Sequence, residues 1–415
     1  MTHQPAPCLA PSPVDALHPR LDDVLNRAVG SGRIVGAVVL VAHRGRLVYR
    51  RAAGWADRES ARAMALDSIF LLSSVTKPIV SLAAMRLVEA GRMPLEAAVT
   101  RWLPRFRPCL ADGREPVITV HHLLTHTAGL CYPGNAEFGA ASRAAGVSSG
   151  LDRRFIGLDE NLRRIASVPL ACAPGDRWIY SLSIDVLGAV IQAVTGRPLA
   201  QALRELVLDP LGMVDTGFAV TARGRLVTHY ADDECGPVVM PARHRAMHEG
   251  AVFDFAPGRI HEPSAFHSAG GGLAGTAGDV LRALEAIRVG SPGVLSAQAS
   301  ARMRHAHVDA GAPPQDPGWG FGYGGAVLVD PVAAGSPQAE GTMQWGGVYG
   351  HTWFIDAARE LAVVALTNTS LEGLFGPFPL EVRDAVYAAL QGLFTPGRAP
   401  AQAACRTPAE MTPQA

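Results

Sequence analysis

Ser73-Ser74-Val75-Thr76-Lys77-Pro78-Ile79-Val80-Ser81-Leu82 decides how the chain is read, because Lys77 is the single lysine among 415 residues. Every other basic side chain, histidines aside, is arginine, so arginine serves wherever a fixed positive charge suffices. Arginine keeps its proton throughout the accessible pH range, whereas a desolvated lysine can act as a base. A lone lysine three positions after Ser74 therefore reads as a lysine kept for its chemistry. Ser73 is offset by one and falls outside the S-x-x-K frame. The frame is short, and a single lysine meets it by chance about one time in twenty, so other landmarks must support it.

The flanking residues place the motif. Pro78 is followed by Ile79, Val80, Leu82, Ala83, Met85, Leu87 and Val88, a helical spacing that ends at Gly91. Proline is tolerated in the first turn of a helix, which sets Ser74 at or near the N-terminus. The i, i+3 spacing then puts Ser74 and Lys77 on one face. Free backbone N–H groups and a partial positive charge point towards Ser74.

Upstream, an apolar run over 36–41, the turn His43-Arg44-Gly45-Arg46 and Leu47-Val48-Tyr49 predict an antiparallel hairpin, and 68–72 reads as extended. Downstream, 94–261 carries short helical patterns and irregular loops. Residues 133–158, rich in Gly, Ala and Ser, read as a long surface excursion. After Gly270, Gly271 and Gly272 come a helix over 276–287, strands over 318–329, 352–355 and 361–366, and a helix over 380–393. Strands at both chain ends predict an α+β fold, with one sheet built from 20–95 and 263–394 and a mostly helical region, 96–262, inserted between them. The Pro/Ala-rich ends, 1–19 and 395–415, are predicted disordered tails.

Composition bounds the function. Hydrophobic residues make up 48% and charged residues 18%, the balance of a packed enzyme. Lys+Arg and Asp+Glu both number 37, and no basic stripe suggests nucleic acid or an anionic membrane as partner. No apolar run reaches transmembrane length, and the first residues lack the apolar core of a secretory signal. Cys8, Cys109, Cys131, Cys172, Cys235 and Cys405 are scattered and read as reduced thiols of a cytoplasmic protein.

Two patterns are set aside. Gly146-Val147-Ser148-Ser149-Gly150 matches the G-x-S-x-G elbow, but no apolar strand precedes it, only the small-residue stretch 140–145. His122 and His126, four apart, lack a carboxylate to complete a metal set and fit packing better.

Two further segments complete the constellation. These are Pro174-Gly175-Asp176-Arg177-Trp178-Ile179-Tyr180-Ser181-Leu182 and Gln344-Trp345-Gly346-Gly347-Val348-Tyr349-Gly350-His351. Together with 118–130 and Pro210-Leu211-Gly212-Met213, their order and spacing resemble the serine β-lactamase superfamily. Over 20–395 the chain most resembles the family VIII carboxylesterases, which share the fold of class C β-lactamases and D-alanyl-D-alanine peptidases.

The resemblance implies a β-lactamase/transpeptidase-like fold with Ser74 as nucleophile, Lys77 as its partner and Tyr180 as general base with the lysine. Trp345-Gly346-Gly347 stands where β-lactamases have K-T-G, and the backbone N–H groups of Ser74 and Val348 would form the oxyanion hole. Leu182 replaces the asparagine of Y-x-N. Leu182, Trp345, Gly346, Gly347, Tyr349 and His351 are the expected substrate-side residues, His351 either binding substrate, assisting deacylation or serving as a hydrogen-bonded structural residue. The chemistry is consistent, because a serine hydroxyl needs a base within reach and each oxyanion donor contributes about 3 kcal/mol. The implied activity is hydrolysis of short-chain acyl esters through an acyl-enzyme, with a cephalosporin acetyl esterase side activity. No cofactor or metal is expected, and the partner is a small-molecule ester. An acyltransferase, a D-amino-acid peptidase, a weak β-lactamase and a non-turning-over penicillin-binding protein are the alternatives.

Overall fold

A computed structural model describes residues 16–309 and 316–394 of the chain. The N-terminal elements are α1 (Leu17–Gly30), β1 (Gly36–His43), β2 (Arg46–Asp57), β3 (Arg62–Ala63), β4 (Phe70–Leu71) and α2 (Thr76–Glu89). The middle holds α3 (Val120–Leu124), α4 (Gly139–Ala144), α5 (Leu158–Ala166), α6 (Ser183–Thr195) and α7 (Leu199–Leu203). It also holds two small hairpins, β5 (Tyr230–Ala231) with β6 (Val238–Val239), and β7 (His244–His248) with β8 (Ala251–Phe255). Then follow β9 (Ala274–Gly275), α8 (Ala277–Val289), α9 (Ala297–Met303), β10 (Trp319–Phe321) and β11 (Ala326–Leu328). The chain closes with β12 (Met343–Gly347), β13 (His351–Asp356), β14 (Leu361–Thr367) and α10 (Phe378–Phe394).

One antiparallel sheet joins both chain ends in the order β10-β11-β12-β13-β14-β1-β2-β3. The seam is β1 on β14, with Val38 opposite Leu366 and Leu40 opposite Val364. Every residue of β1 and β14 is buried, which explains why these strands read as unbroken apolar runs rather than alternating ones. Val39, Val41, Val363 and Ala365 pack against α1 and α10 on one face. Val38, Leu40, Val364 and Leu366 meet α2 and α8 on the other. A sheet sandwiched between helices leaves no polar face, whatever its strand direction. The β1–β2 turn places Arg44 at φ 55° and Gly45 at φ 71°, the two left-handed residues of a type I′ hairpin.

α2 runs through the middle of the protein, with all of Thr76 to Met85 buried. A helix surrounded on every side is hydrophobic all round; Thr76 and Ser81 are small polar departures, and Lys77 is the one buried charged residue to be explained.

Several boundaries differ from expectation. The stretch 318–329 is a hairpin, β10 and β11, turning through Tyr323-Gly324-Gly325 with Gly324 at φ 110°. α1 begins at Leu17, inside the expected tail of 1–19, because Leu17 and Leu21 are buried under the sheet. The remaining tail residues, 1–15 and 395–415, lie outside the described residues. The stretch 133–158 is packed rather than a surface excursion. It contains α4, and Ser148 is clipped by Asn161 of α5 and donates to Asp152 Oδ1 at 2.7 Å. Among the described residues no helix is long and apolar enough to cross a membrane.

Trp353 of β13 is fully buried and lies opposite Trp345 in register. Trp353→Ala is expected to cost about 3–5 kcal/mol of stability, read from the shift of a urea unfolding curve; a loss below about 1 kcal/mol would contradict the packing described.

Candidate active site

The segment leading to Ser74 is held before the serine is reached. β4 ends at Leu71, whose backbone N–H donates to His229 Nε2 at 3.4 Å and whose carbonyl lies 2.9 Å from His351 Nε2. Two buried imidazoles thus hold both backbone groups of one residue. Burial depresses the proton affinity of both rings, His229 to about 3, with His351 adding to the effect, and His351 itself to about 4. Neutral rings suit these roles, one nitrogen accepting and one donating.

The chain then turns. Ser73 adopts φ 43° at the start of a 3-10 turn, Ser73–Val75, that runs into α2. A non-glycine residue in that region is strained, and the surroundings must hold it there. The hold comes from the turn between β12 and β13, where Tyr349 N–H donates to Ser73 Oγ at 3.4 Å. A Cβ on Gly347 would stand 2.6 Å from the Leu72 carbonyl oxygen, closer than a side chain can come. Gly347 is therefore required for strand and turn to touch, while a Cβ on Gly346 would collide with the Leu374 side chain and the His351 carbonyl. Val348 follows directly after the end of β12, the strand that packs against Ser74's turn.

Ser74 Oγ is the focus of the polar web. Lys77 Nζ donates to it at 3.1 Å and Tyr180 OH at 2.8 Å. Lys77 is fully buried, donates to the Gly270 carbonyl at 2.6 Å, and lies 4.7 Å from the centre of the Tyr180 ring and 5.5 Å from that of Tyr132. Trp345 Nε1 donates to the Tyr180 oxygen at 3.2 Å. Trp345, expected as a substrate-side residue, thus also supplies a hydrogen bond in this web. Tyr180 is packed by His126 at 4.9 Å and Trp345 at 5.1 Å between ring centres. His126 accepts the Ser181 N–H through Nδ1, and burial holds its proton affinity well below the ordinary value. The sequence reading missed Tyr132, the Gly270 carbonyl, Ser73 and His229. Tyr132, Gly270 and His229 belong to no short motif and only the fold brings them near Ser74, whereas Ser73 adjoins it in sequence but falls outside the S-x-x-K frame.

Not every expected residue faces the same space. Leu182 is buried in the main core, at the start of α6, and is not a substrate-side residue. His351 is fully buried and spent on the Leu71 carbonyl, so of its expected roles the hydrogen-bonded structural one fits. Tyr349 lies behind the site against Phe255 and His229 and lines a cavity of about 280 Å³. That cavity is also bordered by Leu71, Phe218, Arg259, Phe266 and Gly271, and by none of Ser74, Lys77, Tyr180 and Trp345. His122 caps α3 through Thr119, apart from His126. Ser148 of the elbow-like pattern is fully buried.

A serine hydroxyl between an ammonium and a phenol, beside a strand whose glycines admit close approach, is an acyl-transfer site in geometry. The Beta-lactamase family matches residues 21–383. The chain belongs to that family. It is similar to Esterase EstB of Burkholderia gladioli, 52% identical over 381 residues and covering 90% of this chain and 96% of that protein. Among solved structures it resembles EstCE1, a hydrolase with promiscuous acyltransferase activity, at TM-score 0.88 and 45% identity, covering 90% of this chain and 99% of that one. Simvastatin synthase LovD from Aspergillus terreus matches at TM-score 0.72 and 21% identity over 94% of this chain and 100% of that one, a likeness of fold alone. The β-lactamase/transpeptidase-like fold and the resemblance to family VIII esterases are thereby established.

Two outcomes follow from this geometry. Gly347→Ala should lower kcat by about two orders of magnitude, the size of a lost oxyanion donor, with KM changing less; a kinetically silent G347A would mean strand and turn are not in contact. The depressed histidines set a pH dependence. A group whose folded affinity for protons is reduced adds stability above its unfolded value of 6.5 that is lost as pH falls towards about 4. Thermal unfolding should therefore be flat above that value and decline below it, and His351→Gln, which retains a donor for Leu71, should flatten the decline. An unchanged acid slope in H351Q would contradict this assignment.

Proposed function

We propose that the protein is a serine carboxylesterase hydrolysing short-chain acyl esters through an acyl-enzyme on Ser74, with Lys77 and Tyr180 as the base system. The observation that carries this reading is the convergence of Lys77 Nζ and Tyr180 OH on Ser74 Oγ at 3.1 and 2.8 Å. In the form of the pair that has lost one proton, a Tyr180 phenolate beside the Lys77 ammonium, the Ser74 oxygen attacks the ester carbonyl carbon while its proton passes to the Tyr180 oxygen. Negative charge on the carbonyl oxygen is met by the N–H groups of Ser74 and Val348. The same proton is returned to the departing alkoxide, which leaves as the alcohol. Water then attacks the acyl carbon, giving its proton to the pair, and Ser74 regains a proton as the acid departs.

Specificity for neutral esters is supported by what stands at two positions. Trp345 places an indole where a K-T-G lysine would offer a cation, and that indole hydrogen-bonds Tyr180. Position 182 is leucine, which carries no side-chain amide, and it lies in the core. The relative named as an esterase and the solved structure named as a hydrolase support ester hydrolysis. A cytoplasmic location is part of this reading, supported by the free thiols of Cys109, Cys131, Cys172 and Cys235.

The test is a paired assay on p-nitrophenyl butyrate and a chromogenic cephalosporin. Ester turnover should fall by at least about a thousandfold in Ser74→Ala and Lys77→Arg, with little β-lactam opening by the native enzyme. Ester activity that persists in S74A would remove Ser74 as nucleophile, and full activity in K77R would remove the need for a deprotonatable amine. Added alcohol that diverts most of the acyl group to a new ester would favour the acyltransferase reading, the side activity attributed to EstCE1.

A further inference from the structure

Asp185 lies in the first turn of α6 and is 1% exposed. Its Oδ1 accepts the Ser268 hydroxyl at 2.7 Å and the Gly270 N–H at 3.2 Å. Its Oδ2 is buried without a hydrogen-bond partner among the described residues, and a Cβ on Gly270 would sit 2.5 Å from it. Gly270 is also the residue whose carbonyl receives Lys77 Nζ at 2.6 Å. One buried carboxylate thus grips the residue that grips the buried ammonium.

The charge balance points the same way. Lys77 is fully buried, and its hydrogen bonds go to the Ser74 hydroxyl and the Gly270 carbonyl, neither of which carries a charge. A buried charge without compensation is costly. The groups facing Lys77 are the rings of Tyr132 and Tyr180, with His126 close enough to feel its charge. Those facing Asp185 are Ser268, Gly270 and Tyr132, with the charges of Lys77 and Arg259 acting on it. Burial raises the proton affinity of Asp185, while the Ser268 and Gly270 hydrogen bonds, Lys77 and Arg259 oppose that rise. Arg259 is engaged with the carbonyls of Asp152, Arg154 and Phe266. Asp185 is therefore the acidic group best placed to answer Lys77.

We propose that Asp185 is a positioning residue for Lys77, holding the Gly270 carbonyl in place and acting, as a carboxylate, as the counter-charge of the ammonium. The inference rests on the reading of Ser74 and Lys77 given under the proposed function. A carboxylate that served only to pin the 268–270 loop would matter for its hydrogen bonds and not for its charge.

The experiment is the pH profile of kcat and kcat/KM on p-nitrophenyl butyrate for the native enzyme, Asp185→Asn, Asp185→Glu, Ser268→Ala and Ser74→Ala. D185N keeps an oxygen acceptor and loses the charge. Removing a nearby anion weakens proton binding by the Lys77–Tyr180 system, so its profile should move to lower pH by about half a unit or more. Its kcat should fall about tenfold while KM stays within about twofold. D185E and S268A keep the charge and disturb the hydrogen bonds, so both should retain the native position of the profile even where kcat falls. A native profile and kcat in D185N would overturn the proposal. So would a profile displaced as far in S268A or D185E as in D185N, since loop geometry would then be the cause. If D185N does not fold, S268A and D185E are judged against the native profile: a displacement of about half a unit or more in either overturns the proposal, and an undisplaced profile in both upholds it. Activity persisting in S74A would instead overturn the reading of the site itself, leaving the two failures distinguishable.

Discussion

The contact between the end of β12 and the turn before α2 is the constraint on which the site depends. Gly347 lies against the Leu72 carbonyl, and Tyr349 N–H reaches Ser73 Oγ. This contact holds Ser73 in a left-handed conformation that a serine does not favour. It also sets the end of β12 beside Ser74. The cost of the strained turn is met by packing and hydrogen bonds contributed from far along the chain, including His229 and His351 on Leu71. Strain at such a point is stable only where the surroundings over-determine it.

The same logic explains why the chain keeps one lysine. Lys77 occupies a fully buried position bounded by Ser74 Oγ, the Gly270 carbonyl and two tyrosine rings. A compact ammonium on a flexible stem can direct its donors to these partners, whereas a planar guanidinium needs a wider fork of acceptors. Elsewhere the cations sit largely at the surface, where Arg–carboxylate pairs such as Arg245–Asp254 suffice. The aromatic shell of Tyr132, Tyr180, Trp345, Phe321 and His126 lowers the local dielectric, which strengthens every polar contact inside it.

Much of this was legible from residue order. Pro78 and the apolar spacing after it located α2, and Arg44-Gly45 located the first hairpin, because local backbone rules act within a few residues. The partnership of Ser74, Lys77 and Tyr180 was legible through motif order. The turn dividing β10 from β11 was not, since the glycine-rich, apolar run over 318–329 is equally compatible with one strand. Leu182 was misjudged, and the role of His351 stayed open among three, for a related reason. Position in a motif assigns a place in the chain, but the direction of a side chain depends on which elements pack around it. His229 and Asp185 carried no motif at all.

The sequence by itself determined the local elements, the lone lysine in its helical frame and the family resemblance, because these rest on spacing, composition and short-range sterics. Only the tertiary structure decided which polar atoms meet. Loops distant in sequence had to fold together before Gly270 could receive Lys77, Asp185 could hold Gly270, or Leu71 could be pinned by two histidines. Contacts between residues far apart in sequence depend on the packing of whole elements, and no local pattern encodes their partners.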